Sequence, residues 1–151
     1  VTVGQWILVV AVVVAVGFGL WRARMDGRFG SSRAVPAQEG VVVQDEVVSV
    51  VADTPFADQL GERATFLQFS SAFCAPCRVT RRTLEEVTDL LPDVAHVEVD
   101  AELHLDLVRR LDVLRTPTTI VLDAAGREVT RAAGAPTKAQ VLTALALVHD
   151  S

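Results

Sequence analysis

A chain of 151 residues has room for one ordinary domain and little more. Half of its residues are apolar but unevenly spread, and from Val41 onward 10 basic residues face 17 acidic ones, only one of them lysine. A domain with that acidic balance, and with no aromatic residues interleaved among basic ones, is not built to bind nucleic acid.

The first element is VTVGQWILVVAVVVAVGFGLW, Val1 to Trp21, 21 residues without a charge. As a helix it reaches about 30 Å, the thickness of a bilayer core. Trp6 and Trp21 flank it, as amphipathic rings do at membrane interfaces. A buried soluble helix would carry a polar face, and this run has none. A cleaved signal peptide would open on basic residues and close on a small-residue site, whereas this run opens without Lys or Arg and continues into Trp21-Arg22. Residues 1–21 are therefore expected to be a retained transmembrane anchor, with the lipid bilayer as partner.

RARMDGRFGSSR follows, with Arg22, Arg24, Arg28 and Arg33 against the single Asp26. Basic residues stay on the cytoplasmic side, so the rest of the chain is expected to face the cytoplasm. A basic segment ahead of Val1 would reverse this and make the domain extracytoplasmic. Residues 22–40, rich in Gly, Ser, Arg and Ala and broken by Pro36, have the composition of a basic flexible linker spanning about 25 Å.

Residues 41–151 alternate strand and helix patterns. VVVQDEVVSVV, Val41 to Val51, is β-branched and predicts a first strand, and a short helix is expected around Phe56 to Leu60. ATFLQF, Ala64 to Phe69, is an apolar run suited to a strand covered on both faces. From Cys74 a helix is predicted to about Leu91, with Leu84, Val87 and Leu91 on one stripe and Pro92 as its stop. VAHVEV, Val94 to Val99, predicts a strand, after which Asp100 can cap a helix carrying Leu103, Leu107 and Leu111. TTIVL and REVTR form a hairpin around DAAG, and Thr137-x-x-Gln140 has capping-box spacing ahead of Val141, Leu145 and Val148. The order β(α)βαβαββα is that of one α/β sandwich.

Cys74 and Cys77, in SSAFCAPCRVTRR, are the only cysteines. C-x-x-C alone suits either a redox pair or half of a metal site. Here it follows an apolar strand directly and opens a helix, where free N–H groups and the macrodipole favour a thiolate, the nucleophilic form. Cys74 stands in the more exposed first position, to attack a substrate disulfide, and Cys77 one turn further in, to resolve the mixed disulfide. Pro76 suits the first turn, where its missing N–H costs nothing. Structural zinc asks for four ligands, yet no other cysteine exists, and His96, His104 and His149 fall in different elements, so no metal is expected. A second clue is Thr116-Pro117 just ahead of an apolar strand. A cis bond there is the known way to start such a strand with proline, and it would leave the Thr116 backbone open to an extended substrate segment.

On these pieces the chain from about Val47 to His149 resembles thioredoxin: ATFLQFSSAFCAPCR, VAHVEVDAE, LDVLRTPTTIVLD and GREVTRAAGAPTKAQV match the family's main elements. With its anchor it is similar to membrane-tethered thioredoxin-like proteins of actinobacterial type. The resemblance implies the thioredoxin fold, a central mixed β-sheet flanked by helices, with no cofactor beyond the Cys74–Cys77 pair. It also implies protein disulfide substrates, an electron donor or acceptor of unstated identity, and a lean towards reduction.

Several positions depart from the family. Phe73 stands where a tryptophan precedes the first cysteine, keeping an aromatic cover but losing the indole N–H. The family's buried acid falls at Gln68 and its lysine neighbour at His96, so both members of a charged pair change together, as they must if no lone charge is to be buried. Ser70 takes a position commonly held by tryptophan. His96, or a water held by Gln68, is a candidate for deprotonating Cys77, against the plainer account of Gln68 as a satisfied buried polar residue. Gly134 matches a family glycine beside the active site that allows close approach of a partner. The expected function is thiol–disulfide exchange at the membrane surface. The alternative is a binding module of the same fold that recruits a membrane partner with little turnover.

Overall fold

The computed structural model describes residues 3–25, 27–31 and 49–150. Helix α1 covers Val3–Met25. Its stretch Gly4–Arg22 is long and apolar enough to cross a membrane and is not buried against the rest of the protein. β-Branched valines disfavour a helix in water, but in a bilayer every backbone polar group must be satisfied within the segment, and a helix achieves this.

Among the described residues the domain is one five-stranded mixed sheet: β1 (Phe29–Ser31), β2 (Ala64–Ser70), β3 (Val94–Asp100), β4 (Thr118–Asp123) and β5 (Glu128–Ala133). Spatial order is β1-β5-β4-β2-β3, with β2 and β3 parallel and the other pairs antiparallel. Helices α2 (Ala75–Thr88) and α4 (Lys138–Ala146) cover one face, and the short α3 (Leu105–Arg110) covers the other. β2 is buried along its whole length, as its uninterrupted apolar run requires. Strand alternation sends Phe66 to the α2/α4 side with Leu84, Val87, Val121 and Val141, and Leu67 and Phe69 to the α3 side with Val97, Val99, Leu107 and Ile120.

Most predicted elements stand where expected. Thr137 and Gln140 make both bonds of the capping box. Helix α2 ends at Thr88 and a turn carries the chain to Leu91, which packs beside Leu84 and Val87. The helix near residues 56–60 is a single 3-10 turn, Ala57–Gln59.

Three expectations need correction. Of the strand expected over Val41–Val51, residues 41–48 lie outside the described residues, and 49–51 enter a turn that buries Val51 in the α3-side core. Asp100 caps no helix: its carboxylate accepts the Glu102 N–H at 2.8 Å in a tight turn, so α3 starts later and Leu103 is left exposed. Third, within the stretch 22–40 expected to be a linker, α1 continues to Met25 and Phe29–Ser31 form strand β1 on the outer edge of β5. An uncovered sheet edge offers a row of unpaired backbone groups, and this segment satisfies part of it. Gly27, at φ +75°, turns the chain out of the helix and donates its N–H to the Ala133 carbonyl at 2.8 Å.

Candidate active site

β2 leaves the sheet at Ser70, and a turn of four residues delivers Cys74 to the start of α2. Cys74 is the N-cap residue, with extended backbone, and its Sγ accepts the Cys77 N–H at 3.1 Å. The thiol sulfur thus takes the place that a serine or aspartate oxygen holds in an ordinary cap. Negative charge on that sulfur is favoured by the same N–H and by the helix dipole. Pro76 lies in the first turn, where no donor is missed. Cys74 is half-buried, Cys77 is buried, and the two form a disulfide with Cα atoms 5.2 Å apart.

The Thr116–Pro117 bond is cis, as its position ahead of β4 predicted. It lies against the turn before Cys74, since the Ser71 and Thr116 hydroxyls are 3.0 Å apart. Gly134, at φ +98°, donates its N–H to the Pro117 carbonyl at 2.7 Å and ties the end of β5 to the cis-proline loop. Thr116, Pro117 and Gly134 therefore gather at the dithiol end of the sheet. Phe73 does not cover the thiols: it is fully exposed, and its ring carries no polar atom through which the turn could hold it.

Gln68 and His96 do meet. Gln68 is fully buried on the α2 side of β2, and its Oε1 lies 3.1 Å from His96 Nε2 on β3. Its amide nitrogen donates to Ser70 Oγ at 2.8 Å and to the Cys77 carbonyl at 3.0 Å. With both N–H donors engaged, Oε1 remains to accept, which puts the proton of His96 on Nε2. Ser70 Oγ passes its own proton to Glu98 Oε1 at 2.6 Å, and Arg81 Nη2 on α2 holds the same oxygen at 2.7 Å. Hydrogen bonds thus diverge from the Gln68 amide, one to the carbonyl of the second cysteine and one through Ser70 to a half-buried carboxylate.

The electrostatics follow from that arrangement. Burial holds the His96 imidazole below its ordinary value, partly countered by the charges of Glu98 and Glu85. Burial pushes Glu98 up, but hydrogen bonds from Arg81 and Ser70, with the Arg81 charge, outweigh it and leave the carboxyl below the usual range. Gln68 and His96 form a neutral hydrogen-bonded pair in place of a buried ion pair, so neither leaves an uncompensated charge.

Glu98, Arg81 and the linking role of Ser70 escape a reading of the sequence residue by residue. Their signal is the shared period of two. Gln68 and Ser70 fall on one face of β2, His96 and Glu98 on the same face of β3, and Arg81 one turn after Cys77 on the helix above. Among the described residues, no three His, Cys, Asp or Glu side chains stand close enough together to hold a metal ion.

Comparison with known proteins agrees with this geometry. The family model described as Thioredoxin matches residues 47–146. The chain is 29% identical over 117 residues to thioredoxin H2-1 of Oryza sativa subsp. japonica, covering 74% of this chain and 83% of the relative. It is 30% identical over 88 residues to thioredoxin of Chlamydia trachomatis, covering 58% and 85%. Among solved structures, Fasciola hepatica thioredoxin superposes with a TM-score of 0.52 at 23% identity, over 60% of this chain and 85% of that one, which bears on the fold alone. Matched over most of its length, and carrying a C-x-x-C helix start beside a cis-proline, the chain belongs to the thioredoxin family.

Proposed function

We propose that the protein is a membrane-anchored thiol–disulfide oxidoreductase in which Cys74 is the nucleophile and Cys77 the resolving thiol. Family membership supports thiol–disulfide exchange with protein disulfides in general. The observation that carries the residue roles is the capping of α2 by Cys74 Sγ, half-exposed, beside the cis Thr116–Pro117 bond and with Cys77 buried behind it. In the reducing direction, the Cys74 thiolate attacks one sulfur of a substrate disulfide and expels the other as a thiolate. The Cys77 thiolate then attacks Cys74 Sγ, releases the second substrate thiol and leaves the Cys74–Cys77 disulfide. Two electrons pass to the substrate, and a dithiol donor must restore them. The pair itself is the only redox centre this cycle needs.

The anchor reading rests on Gly4–Arg22, and the orientation on Arg22, Arg24, Arg28 and Arg33 immediately after it, which favour a cytoplasmic domain. The reducing direction rests on the resemblance and on that compartment, where dithiols are maintained. Reduction of insulin disulfides by the full chain, with dithiothreitol as donor, tests the chemistry. Cys74→Ser is expected to fall to the uncatalysed rate, and Cys77→Ser to accumulate mixed disulfides. A Cys74→Ser chain that keeps its rate would sink the reading and leave a module that recruits partners without turnover.

A further inference from the structure

The membrane helix arrives at the end of the sheet that carries the dithiol. β1 enters with Phe29 opposite Ala132, near the last residue of β5. Ala133 stands opposite Thr118, the first residue of β4, and Thr118 opposite Phe69, next to the end of β2. From there Ser70 leads through the turn to Cys74. Neighbouring strands lie about 4.8 Å apart, so three steps across the sheet put the entry of β1 about 14 Å from the end of β2. The β4–β5 turn at Asp123–Gly126 lies at the opposite end, about 20 Å away along a strand of six residues.

The connection between helix and sheet is short, residues 26–28. α1 ends at Met25, and Gly27 is already bonded to Ala133, so only Asp26 lies between them. The candidate span ends at Arg22, about 4.5 Å of helix before Met25. The docking is specific. A Cβ on Gly27 would lie 2.3 Å from the Ala135 carbonyl oxygen at φ +75°, Thr130 Oγ1 donates to the Gly30 carbonyl at 2.7 Å, and Phe29 packs on the α2/α4-side core. With so few residues between the end of α1 and the docked Gly27, the active-site end of the sheet stays close to the end of the span.

Resting on the oxidoreductase and anchor readings above, we infer that β1 holds the active-site end of the domain at the bilayer surface. Its substrates are then disulfides presented in the headgroup layer by other membrane-bound polypeptides, in preference to those of freely diffusing proteins. The exchange and its electron balance are those already given: the Cys74/Cys77 dithiol reduces the partner's disulfide to two thiols and is itself re-reduced by a dithiol donor. Without β1 docked, the domain would be joined to α1 only through residues 26–48, and the dithiol would no longer be confined to that layer.

Two measurements on the full chain in phosphatidylcholine–phosphatidylglycerol vesicles test this. In the first, the Cys77→Ser chain carries a fluorophore on Cys74, and a Cys74→Ser/Cys77→Ser/Ala125→Cys chain carries it at the far turn. A headgroup-bound quencher is expected to remove most of the first signal and little of the second, whereas equal losses overturn the inference. In the second, reduction of a palmitoylated disulfide peptide in the same vesicles is compared with reduction of soluble insulin. Gly27→Val is expected to lower the ratio of the two rates by about tenfold while insulin reduction persists and reports an intact fold. An unchanged ratio overturns the inference and leaves the oxidoreductase reading standing. No insulin reduction by the unsubstituted chain overturns that reading too, and release of the chain from vesicles by alkaline washing overturns the anchor. If Gly27→Val lost insulin reduction as well, the two labels alone would decide.

Discussion

The two faces of strands β2 and β3 are made from the same backbone and differ sharply in chemistry. On the α3 side, Leu67, Phe69, Val97 and Val99 are all apolar and close on Ile120, Leu107 and Leu111. On the α2 side, the apolar Phe66 and Val94 give way along the strands to Gln68, Ser70, His96 and Glu98 as the dithiol is approached. A buried polar group costs free energy unless its hydrogen bonds are met, and Gln68, Ser70, His96 and Glu98 each have a hydrogen-bond partner. One face serves cohesion alone, and the other gives up some cohesion to set polar groups under the backbone of Cys77.

The largest effect is expected on the cohesive face. Leu67→Ala removes a fully buried side chain from a closed cluster and should cost about 2–5 kcal/mol by the transfer and cavity terms together. Urea denaturation measures it. The insulin-reduction rate per folded molecule and its pH profile should stay unchanged, because Leu67 points away from the Gln68 hydrogen-bond network. A shifted pH profile would mean that the two faces are coupled and the contrast is false.

On the polar face the penalty should be smaller but accompanied by a change in chemistry. Gln68→Leu leaves Ser70 Oγ, the Cys77 carbonyl and His96 Nε2 each short of a partner, at a cost of about 1–3 kcal/mol. Adding His96→Leu should cost less than in the unsubstituted protein, since its partner is already gone. If Gln68 positions the second cysteine, the pH dependence of mixed-disulfide resolution shifts in Gln68→Leu. A loss of stability with an unmoved profile would reduce Gln68 to a satisfied core residue.

How much of this was legible in the sequence depended on how local each signal is. The apolar run of β2, the cis-proline before β4, the capping box of α4 and the cysteine at the start of α2 are each written in a few adjacent residues. Strand β1 is not: FGS has little strand propensity of its own, and it is a strand because the edge of β5 receives it. Helix spacing alone puts the start of α3 too early, because the Asp100 carboxylate accepts the Glu102 N–H in a competing turn. The Ser70–Glu98–Arg81 link needs the β2–β3 register and the phase of α2 together, so sequence showed Gln68 and His96 as a changed pair without the carboxylate beyond them.

The smallest expected effect separates the faces by pH. Burial keeps the folded His96 imidazole from taking a proton at the value near 6.5 at which the unfolded chain takes one. Above that pH the ring is neutral in both states and there is no penalty. As pH falls below it the unfolded state binds the proton first, so stability declines until the folded pKa is passed. Glu98 adds a second, lower window: its folded pKa lies below the ordinary 4.5, so its contribution is present above that value and lost as pH falls through the folded one. Urea midpoints across this range should therefore fall in two steps. His96→Gln, which can still donate towards Gln68 Oε1, should abolish the upper step and keep the lower, and Glu98→Gln should do the reverse. Leu67→Ala should move the whole curve down without changing its shape, because Leu67 lies on the opposite face of β2 from His96 and Glu98. An upper step that persists in His96→Gln would show that the proton is taken up elsewhere, and the polar face would lose its claim to the pH dependence.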